Sequence, residues 1–182
     1  MLIKKHNFVF PTGEKAVIRS AVAKDAPAVA QHRLITAEET YYMARYPEEC
    51  SFDIEQMKQG FVALENSRRD FLVTAFVGDR VVGDLGLTQL RSNLKYLHRA
   101  YMGISIRQQY AGRGLGSFMV DIAIKQAKEN GFEQIELGVF SDNDKAIHLY
   151  EKFGFEKYGI QPRAFKLKDG TYRDEIIMVK ML

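Results

Sequence analysis

Apolar and polar positions alternate through HNFVF and again through KAVIRSAV, with PTG between them, which predicts a strand, a turn and a second strand. The period then lengthens. In AKDAPAVAQHRLITAEETYYM, Ala28, Val29, His32 and Ile35 recur at helical spacing, predicting a helix that starts near Lys24 and Asp25. PEECSFDIEQMKQGFVALENS predicts a second helix, capped by Ser51 with Glu55 in its first turn. Strand patterning returns in DFLVTAFV and RVVGDLGLTQL, joined by the short turn GDR, and in HRAYMGISI, entered through the polar stretch RSNLKY. A helix over residues 117–130 follows, ended by Gly131 in the position of a left-handed cap. FEQIELGVF reads as the next strand and DNDKAIHLYEKFG as the next helix, with Asp142 as its cap and Gly154 as its end. The tail FEKYGIQPRAFKLKDGTYRDEIIMVKML alternates as two strands around KDG.

Antiparallel strands therefore come first, then one strand–helix–strand crossover, then a helix and a closing hairpin. A crossover of that kind implies one parallel pair inside a mostly antiparallel sheet. The expected class is mixed α/β, a sheet flanked by helices, in one domain over residues 1–182 with enough chain to bury a core. Composition narrows the reading. A hydrophobic fraction of 46% with 27% charged residues suits a soluble globular protein. A net charge of +3 gives little support for nucleic-acid binding. No run of roughly 18 apolar residues exists to span a membrane, and the N-terminus lacks the apolar stretch of a signal peptide. The single cysteine, Cys50, offers neither an internal disulfide nor a metal cluster. The expectation is a cytoplasmic protein without metal, nucleic-acid or membrane partners.

The chemistry gathers at SIRQQYAGRGLGSFMV, where Gly112, Gly114 and Gly116 fall just where a strand gives way to a helix. Glycine at alternate positions is costly to order, so something must require the missing side chains. A helix N-terminus carries unpaired N–H groups and partial positive charge, and glycines before it let an anion lie directly on the backbone. Phosphate is the natural candidate. A P-loop is excluded, because it needs Lys-Ser or Lys-Thr after its last glycine and Gly116 is followed by Ser117 and Phe118. A dinucleotide-binding fingerprint fits poorly, since the spacing is Gly-x-Gly-x-Gly and the preceding strands look antiparallel.

ISIRQQYAGRGLGSFMV resembles the first motif of the GNAT superfamily of N-acetyltransferases, Arg/Gln-x-x-Gly-x-Gly/Ala after a strand. NDKAIHLYEKFGF resembles the second motif of the same family. Two registers satisfy the first motif: Gln109-x-x-Gly112-x-Gly114 literally, and Ala111-x-x-Gly114-x-Gly116 with Tyr110 as the preceding aromatic. The second is preferred, with Ala111 where Arg or Gln is usual. The resemblance implies that acetyl-CoA is the cofactor. Its diphosphate would lie on Ala111, Gly112, Arg113, Gly114, Leu115, Gly116 and Ser117, and its pantetheine arm along Ile104, Ser105 and Ile106. The strand carrying them would splay from FEQIELGVF. Asn143, Ala146 and Tyr150 would meet the cofactor from the helix of the second motif, with Tyr150 as the acid that protonates the departing thiolate.

The strand glutamate of some family members corresponds here to Ala100, so Glu38, Glu39, His98 or a water chain are the candidates for general base. His148 is expected partly exposed, and Cys50 has no paired histidine to make it a nucleophile. Transfer is expected to be direct, to a primary amine of a small molecule or peptide. The stretch TAEETYYMARYPEECSFD, acidic and aromatic, would suit a cationic amine. A longer acyl-CoA as donor, a non-catalytic CoA-binding module, and assembly as a homodimer stay open.

Overall fold

Every residue of the strand Phe71–Val77 is buried, which is why its sequence is a continuous apolar run rather than an alternation: helices cover both faces of the sheet it belongs to. The computed structural model describes residues 1–182. Its strands are β1 (His6–Val9), β2 (Lys15–Arg19), β3 (Phe71–Val77), β4 (Arg80–Gln89), β5 (Arg99–Ile106), β6 (Gln134–Phe140), β7 (Glu156–Lys166) and β8 (Tyr172–Met181). The helices are α1 (Ala26–Glu39), α2 (Ile54–Asn66), α3 (Leu115–Glu129) and α4 (Asp144–Lys152). The strands form one sheet in the order β1-β2-β3-β4-β5-β6-β8-β7. All neighbours are antiparallel except β5 and β6, which α3 connects. The expected mixed sheet with a single parallel pair is what the chain forms.

The main core lies where Leu85, Met102, Ile135 and Leu137 meet Leu115, Met119 and Ala123 of α3 and Ile147 and Tyr150 of α4. A smaller core on the opposite face packs Val29 of α1 and Phe61 of α2 against Leu72, Phe76 and Val81. No helix is long and apolar enough to cross a membrane.

Three local expectations are corrected. The first helix ends at Glu39 rather than running through Tyr41 and Tyr42, because the Thr40 hydroxyl accepts the Tyr42 N–H at 3.2 Å and competes with the helical ladder. The second helix is capped by Asp53, whose carboxylate accepts the Gln56 N–H at 3.0 Å, not by Ser51. The helix of the second motif is capped by Asn143 through the Ala146 N–H at 3.3 Å. Asp142 instead accepts from the Tyr41 hydroxyl at 2.7 Å and the Arg173 guanidinium at 2.8 Å.

The sheet opens at its middle. Parallel pairing of β5 with β6 covers only Arg99–Tyr101 against Gln134–Glu136. Beyond that, β5 stays with β4 as far as Ile106 and β6 stays with β8 as far as Phe140. Two side-chain contacts mark the fork. Arg99 makes a bidentate ion pair with Glu136, at 2.5 and 2.7 Å, which clasps the paired end. The Gly138 N–H donates to the Tyr101 hydroxyl at 3.2 Å, so a phenol stands where the ladder would otherwise continue.

Candidate active site

The free edge of β5 follows from its register. Leu90 N–H donates to Arg99 O and Arg107 N–H to Val82 O, so the odd-numbered residues between them bond to β4. Ile104 and Ile106 then turn their N–H and C=O groups into the opening. Ser105 points to the face of α1, where its hydroxyl lies 2.8 Å from His32 Nε2. His32 Nδ1 faces the Val81 carbonyl at 3.3 Å and must be the protonated nitrogen, so Nε2 accepts from Ser105. Burial holds His32 below the ordinary histidine range, that is, neutral.

The opening leads to the N-terminus of α3. Ala111 N–H still donates to Gln108 O and Phe118 N–H to Gly114 O, but the N–H groups of residues 112–117 between them donate to no acceptor in the protein. Buried or exposed, such a row of donors at a helix start is an anion cradle. The three glycines serve it differently. Gly112 and Gly114 have φ of 71° and 86°, which L side chains rarely adopt, and Gly114 is the N-cap. A Cβ at Gly112 would meet nothing within 4 Å, so the space over it is open. Gly116 is required by packing, because a Cβ there would lie 3.1 Å from Ile106 Cδ1 and 3.3 Å from Leu149 Cδ2. Its absence lets α3 sit tightly against β5 and α4. Arg113 is exposed beside the cradle, and Lys152 Nζ reaches Ser117 Oγ at 3.4 Å.

From α4, Asn143 uses its carboxamide oxygen as the cap, with Ala146 half-buried one turn on. Tyr150 is 6% exposed and its hydroxyl has no hydrogen-bond partner in the protein. Burial, with Tyr101 adding to it, pushes that hydroxyl up to about 12. It stays protonated across the physiological range and is available to donate.

The candidates for general base separate. Glu39 Oε2 accepts the Gln108 N–H at 2.7 Å, tethering the end of α1 to the strand–loop junction. Glu38 is exposed. His98 precedes β5 at the clasped end of the fork, where its carbonyl accepts from Glu133 and Gln134. A shallow polar cleft there, lined by Arg69, His98 and Glu133, lies away from the opening. His148 is exposed, as expected. Burial raises the Cys50 thiol, against a thiolate role.

The acidic and aromatic stretch after α1 is largely self-satisfied. Glu48 pairs with Lys168 and Glu49 accepts the Tyr46 N–H at 2.8 Å. What remains is aromatic: Tyr41 and Tyr42 pack on Phe140, which stacks on Phe165 at 3.8 Å. Glu48 and Glu49 are thus engaged by neighbours of their own, while Glu38 stays exposed.

One carboxylate at the opening was not singled out from the sequence. Glu175 on β8 lies across Gly138, where an added Cβ would collide with Glu175 Oε1. It has no ion-pair or hydrogen-bond partner, and partial burial raises it above the usual carboxylate range. Glu136 contrasts with it. Arg99, Gln134 and Tyr158 all bond to it, and the Arg99 guanidinium holds it low. No local pattern distinguishes the two glutamates; only the pairing of β6 with β8 does.

Residues 31–155 match the family model described as Acetyltransferase (GNAT) family. The chain belongs to that family. The L-amino acid N-acetyltransferase AaaT of Escherichia coli is 33% identical over 112 residues, 60% of this chain and 67% of that one. The next three curated relatives are matched over 25% to 50% of their own length. A GNAT acetyltransferase structure from Streptococcus pneumoniae superposes with a TM-score of 0.88 at 26% identity, over 92% of this chain and 99% of that one. A phosphinothricin acetyltransferase from Sinorhizobium meliloti, solved in complex with AcCoA, shares the fold with a TM-score of 0.78 at 20% identity, over 92% and 88% of the two chains. In this GNAT chain the fork, the cradle and Tyr150 converge on one opening.

Proposed function

We propose that the protein is an acetyl-CoA-dependent N-acetyltransferase that moves the acetyl group directly to a primary amine of a small molecule. The observation that carries this reading is the fork: a strand edge with free backbone groups runs straight into a row of unpartnered N–H donors at the α3 N-terminus. Those residues fit acetyl-CoA. The N–H groups of residues 112–117 suit its diphosphate, with Lys152 and Arg113 adding positive charge, and the backbone of Ile104 and Ile106 suits an amide-bearing arm. When bound, acetyl-CoA supplies the activated acetyl group. Tyr150 supplies the proton for the departing thiolate, and Ser105, held by His32, keeps β5 in place.

Glu39 is set aside as a catalytic group in this reading, since it is committed to Gln108, and the exposed Glu38 is assigned no step. The test begins with thermal melting. Acetyl-CoA should raise the melting temperature, as any ligand that binds only the folded state does, and NADH at equal concentration should not. Gly112→Ala places a methyl group in the open space over the cradle, at a strain of about 1 kcal/mol for its left-handed backbone. It should fold and lose most of the acetyl-CoA shift. Release of free thiol from acetyl-CoA, screened against amino acids, polyamines and short peptides, then identifies acceptors. A shift with NADH but not acetyl-CoA would sink the reading.

A further inference from the structure

The opening between β5 and β6 has two carboxylates on its walls, and they differ in one respect. Glu136 is saturated by Arg99, Gln134 and Tyr158. Glu175 has no partner and is held over Gly138, on the strand that forms the far arm of the fork. Gly138 leaves the room that its carboxylate occupies. Tyr101 on β5 lies near enough to feel its charge; titratable groups on the flanking strands include Glu136 on β6, Tyr158 on β7, and Arg173 and Asp174 on its own strand. None neutralises it: Arg173 is engaged by Asp142, Asp174 accepts the Arg163 N–H at 2.7 Å, Tyr158 donates to Glu136, and Tyr101 accepts from Gly138. An unpaired, partly buried carboxylate costs stability unless a cation completes it.

We infer that Glu175 receives the ammonium of a primary-amine acceptor and takes its proton. This rests on the acetyltransferase reading above. The acceptor arrives as R–NH3⁺, which the Glu175 carboxylate binds and deprotonates to R–NH2. Over the whole transfer a C–N bond replaces the C–S bond. Of the two protons the ammonium gives up, one leaves through Glu175 to water and the other ends on the thiol. A protonatable group with its affinity for protons raised toward neutrality is suited to such work, and the burial of Glu175 acts in that direction.

The test compares wild-type protein with Glu175→Gln, using ethylamine, protonated at neutral pH, and 2,2,2-trifluoroethylamine, mostly neutral there, as probe acceptors with saturating acetyl-CoA. Glu175→Gln should keep the acetyl-CoA melting shift and lower kcat/KM for ethylamine by about 10²-fold or more. Its loss for 2,2,2-trifluoroethylamine should be much smaller, because no proton has to be removed before attack. Independently of activity, the substitution should raise the melting temperature at neutral pH, and the gain should vanish in acid. A carboxylate with a raised folded pKa is fully compatible with the fold below its unfolded pKa, and stability falls as pH rises through the folded value. Equal losses for the two amines, no loss, or turnover of neither by wild-type protein that acetyl-CoA stabilises would overturn the role of Glu175. Absence of the acetyl-CoA shift in wild-type protein would instead remove the reading beneath it, and this inference with it.

Discussion

Tyr150 shows how one residue's role depends on what it lacks. A buried tyrosine ordinarily finds a partner for its hydroxyl, yet this one has none in the protein. Its ring packs beside Phe155 with centroids 5.8 Å apart, so Tyr150→Phe should keep that packing and leave the melting temperature nearly unchanged. Turnover should fall by about 10²–10⁴-fold, the usual contribution of a positioned acid, with the acetyl-CoA melting shift intact. Steady-state rates alongside melting curves separate the outcomes. An unchanged rate, with chemistry shown to limit turnover, would reduce Tyr150 to a packing residue. A lost melting shift would make its hydroxyl a cofactor contact.

At the scale of elements, the segment of residues 40–53 is tied across the opening rather than left free. Tyr41 and Tyr42 hydroxyls both reach Asp142, at 2.7 and 3.0 Å, and the Lys168 N–H donates to the Tyr46 hydroxyl at 2.9 Å. The connection after α1 is thereby held against the loop that precedes α4 and the β7–β8 turn, and Asp142 is its shared anchor. Asp142→Ala removes the acceptor for Tyr41 and Arg173 and should cost about 1 kcal/mol of stability, the net worth of a hydrogen bond at an exposed site. The Michaelis constant for the amine should rise several-fold, while acetyl-CoA affinity, set at the other end of the fork, should not move. Equal weakening of both ligands would show that the segment supports the fold as a whole rather than the acceptor side.

For the whole molecule, acid is the informative variable. His32 lies at 0% exposure between α1, β4 and β5, and burial lowers its pKa. Above the unfolded-state value of about 6.5 the neutral ring is the same in both states. As pH falls below it the unfolded chain takes up a proton that the folded chain resists, so stability declines. In Glu175→Gln protein, which lacks the opposing gain from protonating Glu175, melting temperature should therefore drop on going from about pH 7 toward pH 5.5, before the ordinary carboxylates titrate. Asp25 and Glu136, both held low with Arg19 and Arg99 bonded to them, then add a second loss at lower pH. A flat profile down to the carboxylate range would mean that His32 is protonated in place. Because His32 supports Ser105 on β5, activity should fall with the first step, and recovery on neutralisation checks that no irreversible damage has occurred.

Local pattern alone determined the order of elements, the one parallel crossover, the glycine loop at a helix start and Tyr150 seven residues beyond Asn143. Each depends on interactions within a few residues: apolar periodicity, caps, and the freedom of glycine to adopt positive φ. The caps failed where a distant partner competed, as when Arg173 and Tyr41 took Asp142 and left Asn143 to close α4. The roles of the carboxylates lay wholly outside local pattern. Glu39 was drawn to Gln108, Glu48 to Lys168 and Glu136 to Arg99, all across long stretches of chain. A carboxylate's proton affinity is set by burial and by the charges beside it. Only the packed sheet decides which glutamate is neutralised by a guanidinium and which, like Glu175 over Gly138, is left without a partner.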